Sequence, residues 1–147
     1  MHHRQDTVKI WDKYFDKLID SKDIQSRVLE IAEQITKDYE GKRPVFIPIL
    51  NGSFMFAADL LKNIPLSCEV NFMRYSSYQG TKSSGNVQEV MGATQDMFGR
   101  HLVVIEDIVD SGLTLSVIFE KLLQKEPLSI RVVSLLYKPS KIKYAVV

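Results

Sequence analysis

The chain reads as a single α/β domain, a parallel sheet flanked by helices, on three observations. β-rich runs at residues 45–50, 102–105 and 129–136 alternate with helical periodicities. The length of 147 residues suits one core rather than two. No repeat, low-complexity tract or Pro/Gly/Ser linker divides the chain. Strand–helix–strand alternation implies right-handed βαβ units and a sheet covered on both faces.

The N-terminus alternates charges (Arg4, Asp6, Lys9, Asp12, Lys13) and lacks the apolar stretch of a secretory leader. Met1-His2-His3 are assigned no chemistry. Ile24, Val28, Ile31 and Ile35 recur at helical spacing, with Ser21 expected to cap the start and Gly41 the end, before Pro44. Val45-Phe46-Ile47-Pro48-Ile49-Leu50 predicts a buried strand. Pro48 removes a ladder donor and so argues for an edge or an irregularity. Asn51-Gly52-Ser53 predicts a turn into a short helix carrying Phe54, Ala57, Ala58 and Leu61 on one side. A second strand is expected at residues 68–73.

Residues 74–99 differ in kind, holding four of the seven glycines and no sustained period. They predict a long excursion, with 75–78 and 87–91 as a loose hairpin. Loops this long within a compact domain are usually functional or disordered, and residues 75–88 are expected to order on ligand binding. The clearest buried strand, 102–105, precedes a helix whose inner face is Leu115, Ile118, Phe119 and Leu122. Residues 129–136 form a last β-rich run.

Composition excludes several classes. A hydrophobic fraction of 45% and a charged fraction of 25% fit an ordinary folded domain. A formal charge of +1 provides no global field for nucleic acid or a membrane, so neither is expected as a partner. The one cysteine, Cys68, rules out an intrachain disulfide and reads as a small strand hydrophobe. No run approaches the roughly 18 apolar residues of a membrane helix. A reducing cytoplasm is the expected compartment.

The most informative stretch is residues 102–115. Four apolar residues end in three carboxylates, Glu106, Asp107 and Asp110, followed by Ser111-Gly112-Leu113-Thr114 and a helix. Ligands of open parallel sheets bind beyond the carboxyl ends of strands. Backbone amides and two hydroxyls at a helix start suit a phosphate, and adjacent carboxylates suit sugar hydroxyls or a divalent metal. A P-loop needs G-x-x-x-x-G-K-[ST] and a dinucleotide fold needs G-x-G-x-x-G; neither is present. The plainer alternative is a solvated acidic turn with a capping Asp or Ser.

The run 104–114, with its Glu-Asp-Ile-Val-Asp-Ser-Gly core, resembles the phosphoribosyl-pyrophosphate (PRPP) signature of type I phosphoribosyltransferases, in the form of the hypoxanthine-guanine branch. Other segments agree in order. Residues 49–54 resemble the pyrophosphate loop, Ser76-Ser77-Tyr78 the start of the mobile catalytic loop, and Leu135-Leu136-Tyr137-Lys138-Pro139 the purine-recognising strand. The resemblance covers about residues 24–140 of a single domain spanning 1–147.

It implies 5-phosphoribosyl transfer from PRPP to hypoxanthine or guanine with Mg²⁺, giving IMP or GMP and pyrophosphate. Glu106 and Asp107 are implied to hold the ribose hydroxyls, directly or through the metal, and Asp110, Ser111, Gly112, Leu113 and Thr114 the 5′-phosphate. Asp110 doubles as general base, and Ser77 and Tyr78 begin the loop that closes over the centre. Leu50, Asn51 and Gly52 are implied to bind pyrophosphate through backbone amides, with a strained or cis peptide. Arg74 is a candidate for added charge nearby, and Lys138 donates to the purine 6-oxo group. The family continues past Val147 into a hood segment that stacks on the purine, so this chain alone is expected to bind PRPP but discriminate purines poorly. A homodimer or homotetramer is also implied. The competing class is a PRPP- or nucleotide-sensing regulator on the same fold; no helix-turn-helix or basic stripe speaks for it.

Overall fold

The computed structural model describes residues 7–77, 87–93 and 96–144. Tyr78, with residues 79–86 and 94–95 of the expected excursion, lies outside them. The chain opens with an antiparallel hairpin, β1 (Thr7–Ile10) and β2 (Lys13–Asp16), in which Thr7 Oγ1 donates to Asp16 Oδ1 at 2.6 Å. There follow α1 (Ser21–Asp38), β3 (Val45–Leu50), α2 (Phe54–Leu61), β4 (Glu69–Val70), β5 (Met73–Ser77) and β6 (Val87–Met91). Then come β7 (His101–Val109), α3 (Leu113–Leu123), β8 (Ser129–Tyr137) and a 3-10 turn at Pro139–Lys141.

The main sheet has the order β6-β5-β3-β7-β8, with β4 pairing the first half of β3. β3, β4, β5, β7 and β8 are parallel, as expected. β6 is not: it returns antiparallel to β5, which a hairpin allows without a crossover.

β3 is central rather than an edge, and Pro48 is tolerated because the partner of β3 changes beside it. Val45 and Phe46 pair with β4, while Ile49 and Leu50 pair with β5. The Phe46 carbonyl accepts the Asn71 amide at 2.9 Å. By the strand's period of two, Pro48 faces the same side, into the gap at residues 71–72 where no donor is needed. That gap splits the strand expected at 68–73 into β4 and β5. Cys68 falls just outside β4, half-buried.

Strand alternation feeds two cores. On one face Phe46, Val103 and Ile105 meet Val28, Ala32 and Ile35 of α1 and Phe56, Ala57 and Leu60 of α2. On the other, Val45, Ile47, Ile49, Leu102 and Val104 meet Leu115, Ile118, Phe119 and Leu122, the predicted face of α3. The face of α2 differs from expectation: Phe54 is 57% exposed, whereas Phe56, Ala57 and Leu60 are buried. Buried Ser53 donates its hydroxyl to the Ile49 carbonyl at 2.7 Å. That bond seats the helix with 53, 56, 57 and 60 inward, at i, i+3, i+4 and i+7. Ser21 also differs, lying within α1 while Asp20 takes the cap position. Gly41 stands beyond the helix end at φ 72°, a conformation that favours glycine. Among the described residues no helix is long and apolar enough to cross a membrane.

Candidate active site

β3 and β7 are adjacent and parallel, so their carboxyl ends deliver residues 50–52 and 106–112 to one edge of the sheet. Contrary to expectation, the carboxylates do not begin a turn at Glu106. β7 runs on to Val109 because β8 keeps pairing with it: Glu106 stands opposite Ser134, Ile108 opposite Leu136 and Val109 opposite Tyr137. Ladder bonds override the weak strand preference of acidic residues. The turn is Asp110-Ser111-Gly112.

Asp107 lies against the 50–52 loop. A Cβ on Gly52 would stand 2.5 Å from Asp107 Oδ2 and 2.9 Å from Oδ1, so the carboxylate occupies the space a side chain would need. Asp107 Oδ1 accepts the Ile108 amide at 2.9 Å. Glu106 instead lines a cavity of about 110 Å³ with Asp110, Ser111, Gly112, Leu113 and Thr114. Burial, and then the neighbouring Asp107 carboxylate, push the Glu106 carboxyl up to about 8. Its Oε2 is buried and has no hydrogen-bond partner among the described residues. Such an oxygen is a vacant acceptor for a hydroxyl or a cation. Two neighbouring carboxylates fit Mg²⁺, which takes one or two protein carboxylates and keeps waters and substrate oxygens for the rest. Among the described residues no cluster of three or more His, Cys, Asp or Glu offers a fuller cage.

Gly112 takes φ 84° at the start of α3, where a side chain would be strained. The Ser111 hydroxyl accepts the Leu113 amide at 3.3 Å. The first turn of α3 and its dipole thus border the cavity, an anion-binding arrangement. Behind the turn, the Ser111 carbonyl accepts the amides of Lys143 and Tyr144 at 3.0 and 3.2 Å. Sequence reasoning missed this strap; the available signal was apolar Ile142, between two lysines, which packs on the α3-side core.

The remaining candidates gather around this edge. Lys138 follows β8 with its amide on the Val109 carbonyl at 3.0 Å, and its Nζ stands 3.5 Å from Asp110 Oδ2. The Leu50–Asn51 peptide is cis, as the resemblance implied. Arg74 pairs with Leu50 across the β3–β5 ladder, beside the loop, and its side chain is exposed. Ser77 ends β5, its backbone opposite Val87. Leu50, Asn51, Phe54 and Phe72 also line an apolar cavity of about 370 Å³ that the sequence did not announce. A larger cavity, about 920 Å³ between α1 and β8, is lined by none of the predicted site residues that the structure describes.

The phosphoribosyl transferase domain family matches residues 16–144. The chain is 40% identical over 123 residues to a hypoxanthine-guanine phosphoribosyltransferase from Streptococcus pneumoniae (strain ATCC BAA-255 / R6), covering 83% of this chain and 68% of that protein. It is 41% identical over 124 residues to the one from Bacillus subtilis (strain 168), covering 84% and 69%. The crystal structure of a hypoxanthine-guanine phosphoribosyltransferase from Bacillus anthracis matches with a TM-score of 0.83 at 35% identity, covering 90% of this chain and 77% of that one. Matched through residues 16–144 and in fold to a solved relative, this chain belongs to the phosphoribosyl transferase family.

Proposed function

We propose that this chain transfers the 5-phosphoribosyl group of PRPP to N9 of hypoxanthine or guanine, releasing pyrophosphate and giving IMP or GMP. The observation that carries the reading is the packing of Gly52 against Asp107. It joins the loop assigned to pyrophosphate and the carboxylates assigned to ribose into one continuous surface, which runs on to the 111–114 turn. A substrate bearing a phosphate at one end of a ribose and a pyrophosphate at the other spans that surface. The names of the relatives, at about 40% identity, support the purine as acceptor.

Charge develops on the ribose as pyrophosphate leaves. Glu106 and Asp107 hold the 2′- and 3′-hydroxyls, and the amides and hydroxyls of residues 111–114 hold the 5′-phosphate. Glu106 and Asp107 would also hold Mg²⁺, which would supply positive charge for the pyrophosphate. The amides of residues 50–52 receive that group. The 6-oxo oxygen and N7 of an oxopurine share one edge. A lysine donor and a carboxylate 3.5 Å apart suit that edge: Lys138 donates to the oxygen while Asp110 takes the proton from N7. Ser77 and Tyr78 lead into the segment that shields the centre from water. Exposed Phe54, Met55 and Phe72, next to the 50–52 loop, support a homodimer or homotetramer.

An absorbance assay with PRPP, Mg²⁺ and hypoxanthine or guanine tests the reading, and nucleotide formation is the expected result. PRPP binding without turnover would favour the sensing alternative instead.

A further inference from the structure

β5 pairs with β3 through Met73 and Arg74, and its register with β6 shifts between Arg74 and Tyr75. Past that point the β5–β6 hairpin projects beyond the ladder, and Ser76 and Ser77 lie on the projecting part. One polar cluster ties it back. Tyr75 and Glu89 stand opposite each other across the hairpin, and the Tyr75 hydroxyl donates to Glu89 Oε2 at 2.9 Å. Lys121 of α3 donates to the same oxygen at 3.1 Å, with its ammonium 5.5 Å from the Tyr75 ring centroid. The other carboxylate oxygen fills the space over Gly92, 2.5 Å from where a Cβ would stand. Tyr75 also packs on the α3-side core. Burial opposes the Glu89 charge, but the Tyr75 hydroxyl and the Lys121 and Lys125 ammoniums outweigh it and hold the carboxyl below its ordinary range.

We propose that Glu89 is a positioning residue: by binding Tyr75 and Lys121 together it sets the spacing between the hairpin that carries Ser76 and Ser77 and the helix that begins at the phosphate turn. The inference rests on the phosphoribosyl-transfer reading above. α3 starts at the 111–114 turn, β5 starts beside the 50–52 loop, and this link joins the two elements through Lys121 in the last turn of α3. Glu89 touches no reacting atom; it acts through the two elements it joins.

The test is steady-state kinetics with hydrogen exchange on Glu89→Gln, Lys121→Met, their double variant and Lys121→Arg. Glu89→Gln keeps an acceptor for Tyr75 and removes the charge that holds Lys121. Both single variants are expected to lower kcat about five- to tenfold while the KM for PRPP stays within about twofold. Amides at 73–77 and 87–91 should exchange faster, and the melting temperature should hold. The double variant should be no worse than either single one, and Lys121→Arg should restore most of kcat. An unchanged kcat in both single variants overturns the inference. So does a loss that tracks PRPP KM and melting temperature together, or a Lys121→Arg as impaired as Lys121→Met. No turnover by the parent chain overturns the transfer reading and this inference with it, whereas normal parent turnover with indifferent variants overturns the inference alone.

Discussion

Gly52 and Asp107 are two residues 55 positions apart that compete for one volume, so the proposed substrate site depends on the absence of a side chain at position 52. Gly52→Ala forces the Asp107 carboxylate to move, because a Cβ would stand 2.5 Å from its Oδ2. The loop is exposed, so stability has little to lose. Calorimetry should show PRPP·Mg²⁺ affinity falling about tenfold, the scale of one disturbed charged hydrogen bond, with a melting temperature within about 2 °C of the parent. Affinity equal to the parent's would mean that Asp107 takes no part in holding the substrate. Asp110 bears the opposite signature. Asp110→Asn keeps the size and an acceptor, so PRPP affinity should stay within a few-fold while kcat drops about 10²-fold or more, as when a general base is removed. If kcat survives with chemistry limiting turnover, the proton goes elsewhere.

At the scale of elements, three separate segments meet at Glu69 of β4. Its Oε1 lies 3.0 Å from Arg100 and 3.3 Å from Arg43, and Arg100 also donates to the Arg43 carbonyl at 3.2 Å. The Arg100 hydrogen bond, against a smaller burial effect, holds the Glu69 carboxyl below its ordinary range. A carboxyl with a depressed folded-state pKa contributes stability above the unfolded-state pKa, near 4.5, and loses it as pH falls through the lower folded value. Thermal melts of Glu69→Gln should therefore differ from the parent at neutral pH and converge on it in acid. A constant gap across that range would remove the titration argument. None of this cluster was legible in the sequence, since residues 43, 69 and 100 share no motif. What was legible follows one rule: elements whose burial is periodic announce themselves. β3, β8 and the inner face of α3 were readable from apolar spacing, and the turn before α3 from Gly112 beside its acids. The β1–β2 hairpin was obscured because Val8, Ile10, Tyr14 and Phe15 are all exposed, so no periodic burial marks it. The extension of β7 through Glu106 and Asp107 was hidden because β8 supplies it by pairing, and the α2 face because one buried hydroxyl, on Ser53, rotates it. In the site, residue types were legible and proximity was not: the Gly52–Asp107 contact, the Lys138–Asp110 pair and the strap at 142–144 are tertiary facts.

For the whole molecule, the sheet is the shared wall of two cores, and β3 and β7 contribute alternate residues to both. Leu60 of α2 and Ile118 of α3 are each fully buried, on opposite faces. Truncating either to alanine removes methyl groups from a packed interior and should cost about 2–5 kcal/mol. The two sites share no partner in either core, so Leu60→Ala and Ile118→Ala should add to within about 0.5 kcal/mol in the double variant. Additivity does not mean independence of folding. β3 cannot keep Val45, Ile47 and Ile49 packed while Phe46 loses its neighbours. Chemical denaturation followed by both far-UV dichroism and Trp11 fluorescence cannot settle this alone, because Trp11 sits 92% exposed on the N-terminal hairpin, away from both cores. Hydrogen exchange of β3 and β7 is the better probe, since each strand borders both faces. Under conditions where each single variant is partly unfolded, amides of β3 and β7 should lose protection together and to the same extent whichever helix carries the alanine. If Leu60→Ala released α2 while leaving β3 and β7 as protected as in the parent, the α1–α2 layer would be a separable unit, and the two loops of the site would rest on α3 and the sheet alone.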